Sequence, residues 1–268
     1  MFFEGLWKEF AELPEVEAIA LGGSRAGESY DEKSDYDLYL YCSRIPEEGL
    51  REEILSRYCG YREIGNHFWE LEDDCTLKDG VDIDILYRNL KDFEQEVASV
   101  VERHLPHNGY TTCMWHNLLH SRVLYDRNGE LTAMQKRFAV PYPEELRTNI
   151  IEQNMRLLTG NLPSYDGQIA KAWKRGDLVS VNHRTAAFLE SYFDILFAAN
   201  RLTHPGEKRM VQYAKEHASG LPKDFTKDFE TLFANLFSDG ETTADTIHRM
   251  TEHLREYVGG DGGEKPHK

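Results

Sequence analysis

The sequence predicts an α/β or α+β domain followed by a domain of helices alone, with the change near residue 140. Three observations predict it. Apolar runs of strand length, several alternating with period two, recur up to residue 88. From "PYPEEL" (141–146) onward, apolar residues recur only at helical spacing. The charge is also uneven: the first 100 residues hold 25 acidic and 10 basic side chains of a 268-residue chain whose formal net charge is −16. Nearly all of the negative balance therefore belongs to the first part.

Taken in order, residues 2–12 read as a helix ended by Leu13-Pro14, and "VEAIAL" (16–21) as a buried strand running into glycines. "DYDLYLYC" (35–42) is a second strand, and 46–60 a surface helix with Pro46 near its start. "YREIG" and "HFWELEDDCTL" are strand-like, "KDG" (78–80) is a hairpin turn because Asp-Gly readily takes left-handed angles, and "VDIDILYR" (81–88) is the last clear strand. Residues 89–104 read as helix, and 108–140 as mixed, with "YDRNGEL" as a turn. In the second part, "RTAAFLESYFDILFAANR" (184–201) is apolar on most faces and predicts the central helix of a bundle. The expected domains are 1–140 and 141–258, with 259–268 too polar and Gly-rich to fold.

Composition excludes several classes. A duplex-binding protein needs a basic face to neutralise phosphates, and none is visible. No apolar run approaches the roughly 18–20 residues of a membrane span. The N-terminal stretch is acidic and helix-like, unlike a secretory signal. The cysteines Cys42, Cys59, Cys75 and Cys113 form no C-x-x-C pair. They read as free thiols of a cytoplasmic protein.

Two features carry chemistry. In a strand alternate side chains share a face, so Asp35 and Asp37 point the same way about 6.6 Å apart, as do Asp82 and Asp84. If the two strands are neighbours, three or four carboxylates converge into the all-oxygen surroundings that hard divalent ions prefer. The second feature is the turn Gly22-Gly23-Ser24. Glycines let a backbone approach a ligand closely, Ser24 offers a hydroxyl, and a helix beginning there would favour an anion. Arg25 could reach a phosphate or pair with a nearby Asp, and Gly27 would relieve crowding. Alone, Gly-Gly-Ser is more often a plain turn and Asp-x-Asp a plain polar edge. The combination in order along the chain is what points to a site.

"GGSRAGESYDEKSDYDL" resembles the signature of the polymerase-beta-like nucleotidyltransferase superfamily, which includes antibiotic and minimal nucleotidyltransferases. "FAANRLTHPGEKRMVQYA" (197–214) resembles the helical C-terminal domain of one bacterial branch. The resemblance implies an α+β catalytic domain with a mixed sheet flanked by helices, followed by an all-α bundle. It implies that Ser24 and its backbone hold a triphosphate, that Asp35 and Asp37 bind metal, and that a third carboxylate lies on a later strand. Asp84 fits that place better than Asp82, because an apolar pair follows it. No catalytic position departs from the pattern, so the expectation is an active, ATP- or other NTP-using transferase with two Mg²⁺ ions, Mn²⁺ being a substitute.

The expected acceptor is a small hydroxylated compound of the aminoglycoside or lincosamide kind, as in antibiotic resistance, bound in a cleft between domains. The alternatives are nucleotidylation of a partner protein and a non-catalytic nucleotide- or partner-binding module; neither duplex nucleic acid nor membrane is expected. A homodimer is left open. Lys208, fixed in direction by the Pro-Gly turn before it, is the cation chosen for phosphate binding. Lys171, Lys174 and Arg175 read rather as a solvated helix face, and His116 and His120 as ordinary packing or surface residues.

Overall fold

The computed structural model describes residues 2–26, 34–68 and 70–260. The chain forms two compact units, one of residues 1–98 with 117–140, the other of 99–116 with 141–268. This differs from a single change of domain at 140. Thr111 donates from its N–H and hydroxyl to Asp194, and Asn149 and Asn154 bind the carbonyls of His104 and His107. These bonds tie residues 104–111 to the helices.

The first unit begins with helix α1 (Phe2–Ala11), whose Phe3, Leu6 and Phe10 recur at helical spacing and are buried. Strand β1 (Val16–Leu21), the short helix α2 (Gly23–Ala26) and strand β2 (Tyr36–Cys42) follow. Next come helix α3 (Glu48–Tyr58) and strands β3 (Cys59–Asn66), β4 (Glu72–Leu77) and β5 (Asp82–Asn89). Helix α4 (Leu90–Val101), helix α5 (Cys113–His120), strand β6 (Arg122–Asp126) and helix α6 (Glu130–Phe138) complete the run to residue 140. Among the described residues six strands form one sheet in the order β3-β4-β5-β2-β1-β6, in which only the central pair β2–β5 is parallel. The fold is therefore α+β with a mixed sheet, as expected.

Alternation divides the sheet. Leu38, Leu40, Ile83, Ile85 and Tyr87 face the core with Phe3, Leu6 and Phe10 of α1 and Ile54 and Leu55 of α3. Asp73 of β4 joins that face and is fully buried, bonded to Arg51 of α3 at 2.6 Å, to the Tyr87 hydroxyl at 2.8 Å and to the Gly65 N–H at 2.9 Å. The Leu77–Val81 hairpin closes as predicted, with Gly80 at φ +88°.

Three differences from the expected elements have physical causes. β4 starts at Glu72 and not at His67, where the chain must turn from β3. β6 is a strand inside the segment read as mixed: Arg122, Val123, Tyr125 and Asp126 pair with β1, and Asp126 then accepts from the N–H groups of Leu131 and Thr132 at the start of α6. The long helix of the second unit begins at Leu178, six residues before 184, because Asp177 caps it through the Ser180 N–H.

The second unit is helical: α7 (Glu144–Leu158), α8 (Tyr165–Lys174), α9 (Leu178–Ala199), α10 (Met210–His217), α11 (Phe225–Asn235) and α12 (Gly240–Gly259). Phe188, Tyr192, Phe193 and Leu196 of α9 pack with Phe225 and Phe229 of α11 and with Met250 and Leu254 of α12. Gly259 ends α12, while the rest of the tail expected from 259 on (residues 261–268) lies outside the described residues. Among the described residues no helix is long and apolar enough to cross a membrane.

Candidate active site

The sheet face opposite the α1–α3 core carries the candidate residues. β2 presents Asp37, Tyr39 and Tyr41 there, and β5 presents Asp84, Leu86 and Arg88. In the parallel register Asp37 and Asp84 are direct partners, so their backbones lie about 4.8 Å apart. Asp35 stands two residues before Asp37, just ahead of β2. Burial first, then the charges of Asp37, Asp74, Asp35 and Glu72, push the Asp84 carboxyl from 3.8 up to about 6. Among the described residues no hydrogen-bond donor reaches it. Asp82 is placed differently: it is exposed and accepts from the Thr76 hydroxyl at 2.8 Å.

The glycine turn follows directly from β1. The Gly22 N–H donates to the Asp37 carbonyl at 2.8 Å, which holds the turn against the start of β2. A Cβ on Gly22 would fall 2.2 Å from the Tyr39 ring, and one on Gly23 would fall 1.7 Å from Asp37 Oδ2. Gly23 also has φ +58°, so glycine is required there on two counts. The turn and the metal-type carboxylate are thus one built unit. Ser24 is exposed on α2, a helix of only four residues.

Arg25 is engaged elsewhere. Its Nε donates to the Ser34 carbonyl at 2.6 Å, and its guanidinium lies 4.1 Å from the Tyr36 ring, which itself stacks on Phe3. Tyr36 belongs to the α1 face of β2, the face that does not carry Asp37. Gly27 lies outside the described residues. Lys208 is exposed in the helical unit, while Asp35, Asp37 and Asp84 belong to the sheet unit.

The structure adds residues that the motifs did not mark. Asp74 is the β4 partner of Asp84, and Glu72 lies two residues away on the same face of β4. Burial, with Asp74 and Glu70 beside it, pushes the Glu72 carboxyl up. Beneath them Arg88 is clasped by both oxygens of Glu70 at 2.6 Å, donates to Asn117 Oδ1 at 2.7 Å and lies 4.3 Å from the Tyr39 ring. Burial works against its charge, but the Glu70 carboxylate holds the guanidinium protonated. The available signal was Glu70-x-Glu72-x-Asp74, the same period-two pattern as Asp35-x-Asp37.

An all-oxygen donor set fits Mg²⁺, and a divalent cation would relieve the acid–acid repulsion that adds to burial in raising the Asp84 carboxyl. Among the described residues no three His, Cys, Asp or Glu side chains are gathered closely enough to hold a metal ion by themselves. Mg²⁺ is usually held by one or two carboxylates, with water and substrate phosphates completing the shell.

Residues 110–210 match a family described as a domain of unknown function, DUF4037, a stretch that does not include the carboxylates or the glycine turn. No curated protein matches the chain. Among solved structures the chain is similar to a nucleotidyltransferase-like protein from Exiguobacterium sibiricum 255-15, at 14% identity, TM-score 0.45, over 96% of this chain and 74% of that one. It is also similar to an aminoglycoside 6-adenyltransferase from Bacillus subtilis, at 8% identity, TM-score 0.29, over 98% of this chain and 91% of the other. A third is the CCA-adding enzyme of Thermotoga maritima complexed with tRNA, at 10% identity and TM-score 0.25, over 100% of this chain and 83% of that one.

Proposed function

We propose that the chain is a metal-dependent nucleotidyltransferase that moves a nucleoside monophosphate from an NTP to a hydroxyl of a small molecule. The observation that carries the reading is the side-by-side register of Asp37 and Asp84, with the Gly22–Gly23 turn closed against Asp37. A carboxylate pair with no hydrogen-bond donor to Asp84 among the described residues, beside a glycine turn closed onto Asp37, suits a metal–triphosphate.

Asp35, Asp37 and Asp84 would hold two Mg²⁺ ions. When bound, these neutralise charge on the transferred group and lower the pKa of the acceptor hydroxyl. The turn at Gly22 and Gly23, which packs onto Tyr39 and Asp37 because neither residue has a side chain, and the Ser24 hydroxyl hold the triphosphate. The acceptor oxygen forms a bond to the α-phosphorus while the bond from that phosphorus to the bridging oxygen breaks, and pyrophosphate leaves with the electron pair. Asp84 is the group proposed to take the hydroxyl proton on a carboxylate oxygen. Lys208 is the proposed additional phosphate contact.

The test is transfer of label from α-labelled ATP, GTP, CTP or UTP to a panel of hydroxylated small molecules in the presence of Mg²⁺. The expected result is a labelled acceptor with pyrophosphate, lost in Asp37→Asn. Label appearing only on proteins of a cell extract would replace the acceptor class. No transfer, and no NTP-dependent rise in melting temperature, would remove the reading altogether.

A further inference from the structure

The helical unit contains an open groove of about 770 Å³, remote in composition from the acidic face of the sheet unit. Its walls are Leu189 and Phe193 of α9, Met210 and Val211 of α10, and Phe229 and Phe233 of α11. The aromatic rings continue one another: Phe193 stacks on Phe229 at 5.3 Å and Phe229 on Phe233 at 6.3 Å. Phe233 is 57% exposed although its face of α11 is apolar. Scattered exposed apolar residues need no explanation, but a contiguous lined groove of this size lies in the range of about 300–1,000 Å³ typical of small-molecule sites.

The rim has a defined charge. Arg209 and Lys215 both line the groove, and among the described residues neither forms an ion pair. The acid at the rim, Glu216, is already occupied, accepting from Gln212 Nε2 at 2.8 Å with His217 4.0 Å away. In a chain of net charge −16, two cations without an ion-pair partner at the rim of an apolar trough favour a negative head on whatever lies in it. Val211 and Lys215 are one helical turn apart, so the apolar wall and the charge belong to the same face of α10.

We propose that this groove binds a small amphipathic anion: an alkyl or aryl body lying along Phe193, Phe229 and Phe233, with a carboxylate or phosphate head held by Arg209 and Lys215. The site is independent of the nucleotidyl-transfer reading and stands or falls without it.

Calorimetric titration of the full chain with decanoate, decyl phosphate, decanol and decylamine, all below their aggregation concentrations, tests it. Saturable one-to-one binding of decanoate or decyl phosphate is expected, the tighter of the two identifying the head group. Decanol and decylamine should bind about tenfold more weakly or less, the factor for one charge-assisted hydrogen bond. Lys215→Glu, an exposed position, should lose a similar factor for the anion with an unchanged melting temperature, and Val211→Trp should block all four probes. Equal affinity for every head group, or undiminished decanoate binding in Lys215→Glu, would overturn the proposal. So would binding only to phosphatidylglycerol vesicles with no uptake of monomeric probe.

Discussion

Asp84 in the sheet unit is half-buried and Asp194 in the helical unit is buried, and burial pushes both carboxyls up, to about 6 and about 7. Their surroundings are opposite. Asp194 accepts from the Thr111 N–H at 3.0 Å, the Thr111 hydroxyl at 2.6 Å and Asn154 Nδ2 at 3.1 Å. The charges that act on Asp84 are those of the acids Asp37, Asp74, Asp35 and Glu72. Asp73 extends the first pattern, with a guanidinium, a phenol and an N–H around it. A carboxylate that holds a fold together is supplied with donors by that fold. One that is surrounded by like charge destabilises the fold, and such strain is kept where function needs it.

Substitutions can break that contrast. The largest expected effect is on catalysis: Asp84→Asn should lower nucleotidyl transfer on the order of 10²–10³-fold or more, as when a group that stabilises transition-state charge is removed. The same variant should melt higher than wild type in metal-free buffer at pH 7.5. The folded pKa lies above the unfolded 3.8, so ionisation opposes folding fully above about pH 6 and not at all below about pH 3.8. The gain in Tm should therefore fade as the pH is lowered through that window. A variant that melts lower at pH 7.5 would place Asp84 with Asp194 and dissolve the contrast.

Asp73→Asn should do the reverse, costing about 3–5 kcal/mol in denaturant unfolding because it leaves Arg51 buried beside a neutral partner. Asp194 sharpens the comparison through pH. Its folded pKa is raised, so its protonated form favours folding below about pH 4, and that contribution is lost as pH rises towards 7. Relative to wild type, Asp194→Asn should therefore gain stability as pH rises from about 4 towards 7, as read by thermal melts across that range. The smallest change is Gly23→Ala, expected to cost about 1–3 kcal/mol for its left-handed backbone and to remove the nucleotide-dependent rise in Tm by displacing Asp37.

The sequence made Asp35, Asp37 and Asp84 visible because the strand period is two and each acid alternates with an apolar residue. Glu72 and Asp74 stayed hidden because "ELEDD" breaks the alternation: Asp73 occupies a core position that only Arg51, reaching from α3, makes acceptable. By sequence Arg25 can reach a phosphate or pair with a nearby Asp; its contact with Tyr36, set by the stacking of that ring on Phe3 of α1, is one that no local pattern reveals. Asp194 did leave a signal, a single acid within the apolar "SYFDILFAA" of α9. Its donors lie more than 80 residues earlier, at Thr111, and 40 earlier, at Asn154.

The parallel pairing of β2 with β5 has a consequence for how the molecule comes to be active. Asp37 meets a partner 47 residues downstream, after a helix and two intervening strands have been laid out. No local hairpin can assemble that pair, so the binding centre emerges only when the long crossover closes. A nascent chain that ends before residue 82 already owns the glycine turn and two acids, yet has no second strand to complete them.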